Sequence, residues 1–361
     1  MALRDFIEKR PVQPSGMFMP APPDDQEVDP YVERVRLSIA NRRGESRRFT
    51  ALSLFTNSRG KWPDVREIVV GEMSLMPVDT RAWLLGNFTD QLQSPDLVPA
   101  ILKTIEDTKP QQWSPLLTQL AKLDPKAAVA PFVDAIANPA VSMLYDAVEL
   151  MPPDSLTGAT RGLMDAIQTL LAKKSGRDFT FQQKVVLLPL VADRSIVAEV
   201  RGLYDQHATS FDSDVKGGLL GYLLKWDDEA AIRRLRTALE REGNTRLLEQ
   251  ATRYAYSPKL DAILQERLFA DDLDASANAA YVLRRAKRPN LQGLLETRLQ
   301  RWQSGRRSTM ASVPLTQREG YYESELVSQI ANRPEPKFTS NELGTLRASC
   351  LTDACRTALR R

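Results

Sequence analysis

Apolar residues along this chain fall into short stripes at helical spacing, and the stripes come in pairs that return about every 30 residues. Leu97, Val98, Ile101, Leu102 and Ile105 make one stripe; Trp113, Leu116, Leu117 and Leu120 make its facing partner. The preceding unit, about 63–94, pairs Val65, Ile68, Val69 and Met73 with Trp83, Leu84, Phe88 and Leu92. The following one, about 125–154, pairs Val129, Phe132, Val133 and Ile136 with Leu144, Val148 and Met151. Further units are expected near 155–193, 194–228, 229–257 and 258–289, and then a helix over 290–303. Each stripe covers one face of its helix. An isolated pair would leave that face wet, so neighbouring pairs must stack.

The punctuation between stripes follows from backbone chemistry. Ser94-Pro95, Asp124-Pro125 and Ser257-Pro258 are each expected to open a helix at the Pro. Asp or Ser accepts hydrogen bonds from the free N–H groups of the first turn, and Pro just inside loses only a donor that has no partner there. Asp79, Asp154 and Asp193 mark inter-helix turns in the same way. Gly217-Gly218 interrupts an otherwise apolar helix, which predicts close helix–helix packing there.

Outside this frame the pattern changes. Residues 1–30 are Pro-rich and polar and predict an extended arm; Met17, Phe18 and Met19 are its apolar exception and are expected to pack back on the body. Residues 31–303 are read as the repeat body, 304–322 as a Ser-, Gly- and Arg-rich loop, and 323–361 as a helical C-terminal cap. Strand alternation and Asn-Gly hairpins are missing. The expected fold is all-α: a right-handed α-solenoid of antiparallel helix pairs.

These features resemble HEAT-type solenoids, the group that includes HEAT, armadillo and shorter bacterial HEAT-like repeats. Pro95, Pro125 and Pro258 at helix starts, Asp79, Asp154 and Asp193 at turns, and the stripes over about 63–303 carry the likeness. A period near 30 and the Pro-opened first helix fit this group better than tetratricopeptide repeats, whose period is 34. The resemblance implies a surface for partners. HEAT-like DNA glycosylases share the architecture, but no motif here maps onto theirs residue by residue.

Composition narrows the chemistry. The single histidine, His207, is expected near a helix C-terminus and makes His-based zinc sites and Ser-His-Asp or Cys-His machinery poor readings. Asp227-Asp228 and Asp271-Asp272 sit where helix caps are expected, and no phosphate-binding Gly loop is present, so no metal, cofactor or catalytic site is assigned. Cys350 and Cys355 read most simply as two thiols; a disulfide between them needs a break in any helix that holds both. No run of 18 apolar residues and no signal-peptide core occur, so a cytoplasmic protein is expected, with an exported one trimmed of its signal as the alternative. Arg outnumbers Lys by more than two to one, a bias that points to a GC-rich bacterial source.

Charge divides the chain. Residues 63–154 carry 6 basic and 13 acidic side chains; residues 229–309 carry 16 and 10. Arg233, Arg234, Arg236, Arg284, Arg285, Lys287, Arg288, Arg298 and Arg301 are therefore the candidate partner-binding residues, with Tyr254, Tyr256 and Trp302 near them. In a stack, equivalent positions align into a stripe suited to an acidic protein surface or a phosphate backbone. The expected function is a non-enzymatic scaffold, adaptor or neutralising partner that binds a protein or peptide; the alternative is nucleic-acid binding through the basic half.

Overall fold

The computed structural model describes residues 30–173, 179–242, 245–252, 258–286, 288–309, 312–333 and 336–359. The expected arm, with Met17, Phe18 and Met19, lies outside them, as do Tyr254, Tyr256 and Lys287. Among the described residues all regular structure is helical. The chain divides into two compact units, residues 1–162 and 163–361.

The first unit holds α1 (Pro30–Ser38), α2 (Gly44–Ser58), α3 (Pro63–Gly71), α4 (Val78–Leu92), α5 (Leu97–Asp107), α6 (Trp113–Leu123), α7 (Pro125–Ala137) and the single turn α8 (Tyr145–Val148). Helix α1 packs on α2, α2 on α3, α4 on α5, α5 on α6 and α6 on α7; α4 also packs on α6 and α6 on α8. The stripes explain this. Val65, Val69, Leu84, Leu85, Ile101, Leu116, Leu117, Leu120, Phe132 and Ile136 are fully buried. Caps set the boundaries. One oxygen of Asp124 accepts from the N–H groups of Lys126 and Ala127, both at 3.0 Å, and Pro125 begins α7. Gly86 lets α4 approach α6 closely, since a Cβ there would stand 3.0 Å from Pro115 Cβ. The second helix expected from Leu144 to Met151 shrinks to α8; Pro152 and Pro153 leave no length for more.

The boundary at Gly162 falls within α9 (Thr160–Ala172). The second unit continues with α10 (Phe179–Val191), α11 (Val197–His207), α12 (Ser213–Trp226), α13 (Asp228–Glu242), α14 (Thr245–Thr252), α15 (Pro258–Leu268), α16 (Leu273–Arg285), α17 (Leu291–Thr309), α18 (Gln317–Ala331), α19 (Ser340–Ser349) and α20 (Asp353–Ala358). The even-numbered helices from α10 to α20 each pack on the next, and α11, α13, α15, α17 and α19 lie against their sequence neighbours. Asp214 through Leu224 of α12 are all buried. Gly218 is required there: a Cβ would meet the Val185 carbonyl oxygen at 3.0 Å, so α12 rests directly on the backbone of α10.

The loop expected over 304–322 is corrected by the structure. Helix α17 runs on to Thr309 and α18 already begins at Gln317. Arg306, 8% exposed, is the physical reason. Its guanidinium donates to the carbonyls of Val313 (2.8 Å) and Pro314 (3.0 Å) and pairs with Glu319 at 2.7 Å. Thr316 and Glu319 form a reciprocal capping box that starts α18. The single C-terminal helix expected from Asn341 is likewise two helices, α19 and α20.

Polar links between distant residues repeat the sequence period. Gln112 to Asp79 spans 33 residues, Gln119 to the Gly86 carbonyl 33, Ser114 to the Met143 carbonyl 29, Tyr222 to the Asp193 carbonyl 29 and Trp226 to the Ala192 carbonyl 34. Near the C-terminus the span lengthens. Tyr322 to Ser276 and Gln303 to the Ser349 carbonyl each cross 46 residues.

Candidate functional site

The candidate arginines sit mainly on α13, α16 and α17, and the structure gives them separate jobs. Arg234 grips Asp205 of α11 with two bonds, 2.8 and 2.6 Å. Those bonds hold the Asp205 carboxyl below its ordinary range. Arg236 reaches Glu266 of α15 at 3.0 Å, and Lys259 of α15 reaches Glu229 of α13 at 3.2 Å. Arg288, beyond α16, clasps Asp261 of α15 through both Nε and Nη2, the latter at 2.8 Å. These pairs span 27 to 30 residues, so they join one helix pair to the next.

Arg298 is 5% exposed. It donates to Ser276 Oγ (3.0 Å) and the Ala270 carbonyl (2.8 Å), with its guanidinium 5.6 Å from the Tyr322 ring centre. Arg284 donates to Gln292 Oε1 at 3.1 Å and to the Gln329 carbonyl, and burial pulls its pKa down. Arg285 is exposed beside the Tyr281 hydroxyl, and Arg301 is exposed on α17. The eight of these residues that the structure describes therefore do not form one free stripe. Arg234, Arg236 and Arg288 tie neighbouring pairs together, and Arg298 belongs to the interior. His207 closes α11, as expected, with its ring 5.5 Å from that of Phe211.

Two concavities stand out, one in each unit. In the first unit a groove of about 470 Å³ is lined by Asp79, Trp83, Asn87, Gln111, Gln112 and Pro115, among others. Here α4 and α6 meet, and Gln112 donates to Asp79 at 3.0 Å. An indole and a proline ring supply apolar walls; three carboxamides and a carboxylate supply donors and acceptors. In the second unit a pocket of about 570 Å³ lies among α11, α12 and α13. Lys216, Arg233, Arg234, Asp205, Thr209 and Thr237 are its polar lining, beside Tyr204. Arg233 and Arg234 were legible in the sequence as candidates. Lys216 was missed, although a cation directly before Gly217-Gly218 in an apolar helix is a signal: it is 6% exposed and stands in the pocket wall.

The end of the second unit carries a buried polar knot. Glu323 is fully buried and accepts four bonds, each 2.8 Å: from Gln303 Nε2, Leu351 N, Thr352 N and Thr352 Oγ1. Cys350 and Cys355 flank that loop and are joined as a disulfide, with Cα atoms 5.7 Å apart. The reading of two free thiols is thereby corrected. The break between α19 and α20 supplies the bend that an i, i+5 bridge requires. Elsewhere in this unit Lys184 of α10 is 1% exposed, and burial pulls its pKa down to about 7.

No protein-family model matches the sequence, and neither a curated protein nor a solved structure matches it. Among the described residues no helix is long and apolar enough to cross a membrane.

Proposed function

We propose that this chain is a HEAT-like α-solenoid without enzymatic activity that binds a protein or peptide partner. The observation that carries the reading is the agreement of two periods. Apolar stripes return about every 30 residues in the sequence, and inter-helix polar links of 26 to 36 residues occur in both units, ahead of the 45- and 46-residue links near the C-terminus. Stacked pairs of this kind expose long rows of equivalent positions, the usual basis of partner binding in such arrays.

The groove around Trp83 is the favoured docking point. A buried-edge aromatic beside Pro115 offers an anchor slot, and Asn87, Gln111 and Gln112 match the alternating donors and acceptors of an extended peptide backbone. The acidic surroundings of residues 63–154 favour a basic peptide. Nucleic-acid binding is the weaker reading, because Arg234, Arg236 and Arg288 already face carboxylates and Arg298 is interior. The disulfide favours an oxidising compartment, and with it the exported alternative.

The test is selection of binders from a displayed peptide library by the full chain. Enriched basic peptides that lose about tenfold or more affinity to the Trp83→Ala variant support the reading. Enriched peptides indifferent to Trp83→Ala move the site elsewhere. Turnover of any substrate abolished by one side-chain change overturns the non-enzymatic assignment.

A further inference from the structure

We propose that Cys350 and Cys355 form a redox latch on the C-terminal end of the second unit, opened and shut by a partner that carries out dithiol–disulfide exchange. This goes beyond the partner-binding reading and does not depend on it. The bridge joins the C-cap of α19 to the first turn of α20, and the loop it encloses is the one that seats Glu323. Three of the four hydrogen bonds on that buried carboxylate come from inside the ring: Leu351 N, Thr352 N and Thr352 Oγ1. The fourth donor, Gln303, also holds the Ser349 carbonyl at 3.1 Å, just outside the ring. Thr352 Oγ1 in turn accepts from Cys355 N at 3.1 Å and so caps α20, which packs on α18. Bridge, carboxylate seat and helix start therefore share the same few residues.

The bridge favours the bend that fills the seat. A continuous helix would set residues 350 and 355 about 7.5 Å apart along its axis, and an extended chain about 17 Å apart. Bonded, their Cα atoms stand 5.7 Å apart. In a helix the N–H groups of Leu351 and Thr352 would turn to carbonyls of their own turn; in the bend both aim at Glu323. Without the ring, a fully buried carboxylate depends on a loop that is free to leave, and its leaving strands the carboxylate. Cys350 is 6% exposed and Cys355 fully buried, so exchange begins at Cys350. A thiolate of the dithiol attacks Cys350 Sγ, the S–S bond breaks, and Cys355 Sγ leaves with the electron pair and takes up a proton. The second thiol then attacks the reagent's sulfur in the mixed disulfide, releasing Cys350 as a thiol and the reagent as its own disulfide. Two electrons and two protons reach the protein, and closure is the reverse. Linkage makes the coupling reciprocal: whatever factor the bridge contributes to the seat, the seat contributes to the bridge.

The experiment equilibrates the full chain in buffers of reduced and oxidised dithiothreitol. Alkylation and mass spectrometry count the thiols, and amide exchange follows residues 350–358. Reduction is expected to raise exchange there roughly thirtyfold. Glu323→Gln, and independently the milder Thr352→Val, are expected to shift the oxidised-to-reduced ratio toward the dithiol form, by about tenfold for Glu323→Gln. Asp124→Ala, a cap change in the first unit, is expected to leave the ratio as in the parent. Unchanged exchange in a chain shown to carry both thiols overturns the proposal. So does a ratio that neither Glu323→Gln nor Thr352→Val moves, or one that Asp124→Ala moves equally, which marks global unfolding. A bridge that dithiothreitol opens only in denaturant also overturns it, marking a permanent brace.

Discussion

The two units bury different kinds of polar group. In the first, the buried polar residues described are four threonines and Arg81, which pairs with Asp107 of α5 at 2.6 Å; Thr50 and Thr104 return their hydroxyls to the carbonyl four residues back, at 2.8 and 2.6 Å. In the second they include Lys184, Asp214, Lys216, Arg298, Arg306 and Glu323. One helical period is thus held in two ways. A threonine satisfies itself within its own helix and makes no demand on the neighbours. A buried charge needs partners from other helices, so its pairs fix the stacking register and make it sensitive to pH, salt and mutation.

The largest effect that would sharpen this contrast is at Glu323. Glu323→Ala strands four donors in the interior, and we expect a loss of about 3 kcal/mol or more in chemical denaturation, with amide exchange rising first around residues 350–358. Thr104→Val in the first unit should stay within about 1 kcal/mol of the parent. Comparable losses at both positions would break the distinction.

Next comes titration of the second unit. Lys184 has a folded pKa of about 7 against an ordinary value of 10.5. Between these values the unfolded chain binds more protons, so stability should rise as pH climbs from 7 toward 10 and be flat below 7 for this group. Lys184→Met should remove the rise and stabilise the protein at about pH 6. Thermal melts across that range check it, and an unchanged slope in Lys184→Met would count against the buried ammonium.

Reduction of Cys350–Cys355 should lower stability by about 2 kcal/mol, the loop-entropy value for so short a ring, with the effect confined to α18, α19 and α20 in amide exchange. The smallest expected change is in the first unit. Asp124→Ala removes the cap of α7 and should lower stability by about 1 kcal/mol, at any salt concentration.

Much of the first unit was readable in advance, because its determinants are local. Asp124-Pro125 announces both cap and first turn, and the stripe from Leu97 to Ile105 needs only the 3.6-residue period. Gly217-Gly218 likewise announced a close approach, although not that Val185 would supply the surface. What escaped was non-local. Arg234 and Arg288 looked like free charge because Asp205 and Asp261 lie 29 and 27 residues away and meet them only after stacking. The continuation of α17 through Ser304 and Gly305 was hidden by their poor helix propensity, which the bonds of Arg306 outweigh. The Thr316–Glu319 box is present in the sequence but lies in a polar stretch with no apolar stripe to mark a helix. The pocket combines both cases, since Arg233 was visible as charge while Lys216 was hidden as an ordinary interior position.

The lengthened span at the C-terminal end has a consequence for how such a chain can grow. Where polar links span about 30 residues, insertion or removal of about that length keeps the two ends of each link in step. Between α16 and α18 the link from Ser276 to Tyr322 spans 46 residues, so a unit of ordinary length placed at that joint would find its counterparts displaced by half a unit. A duplicated stretch is therefore tolerated less readily at that joint than where the links keep the shorter span.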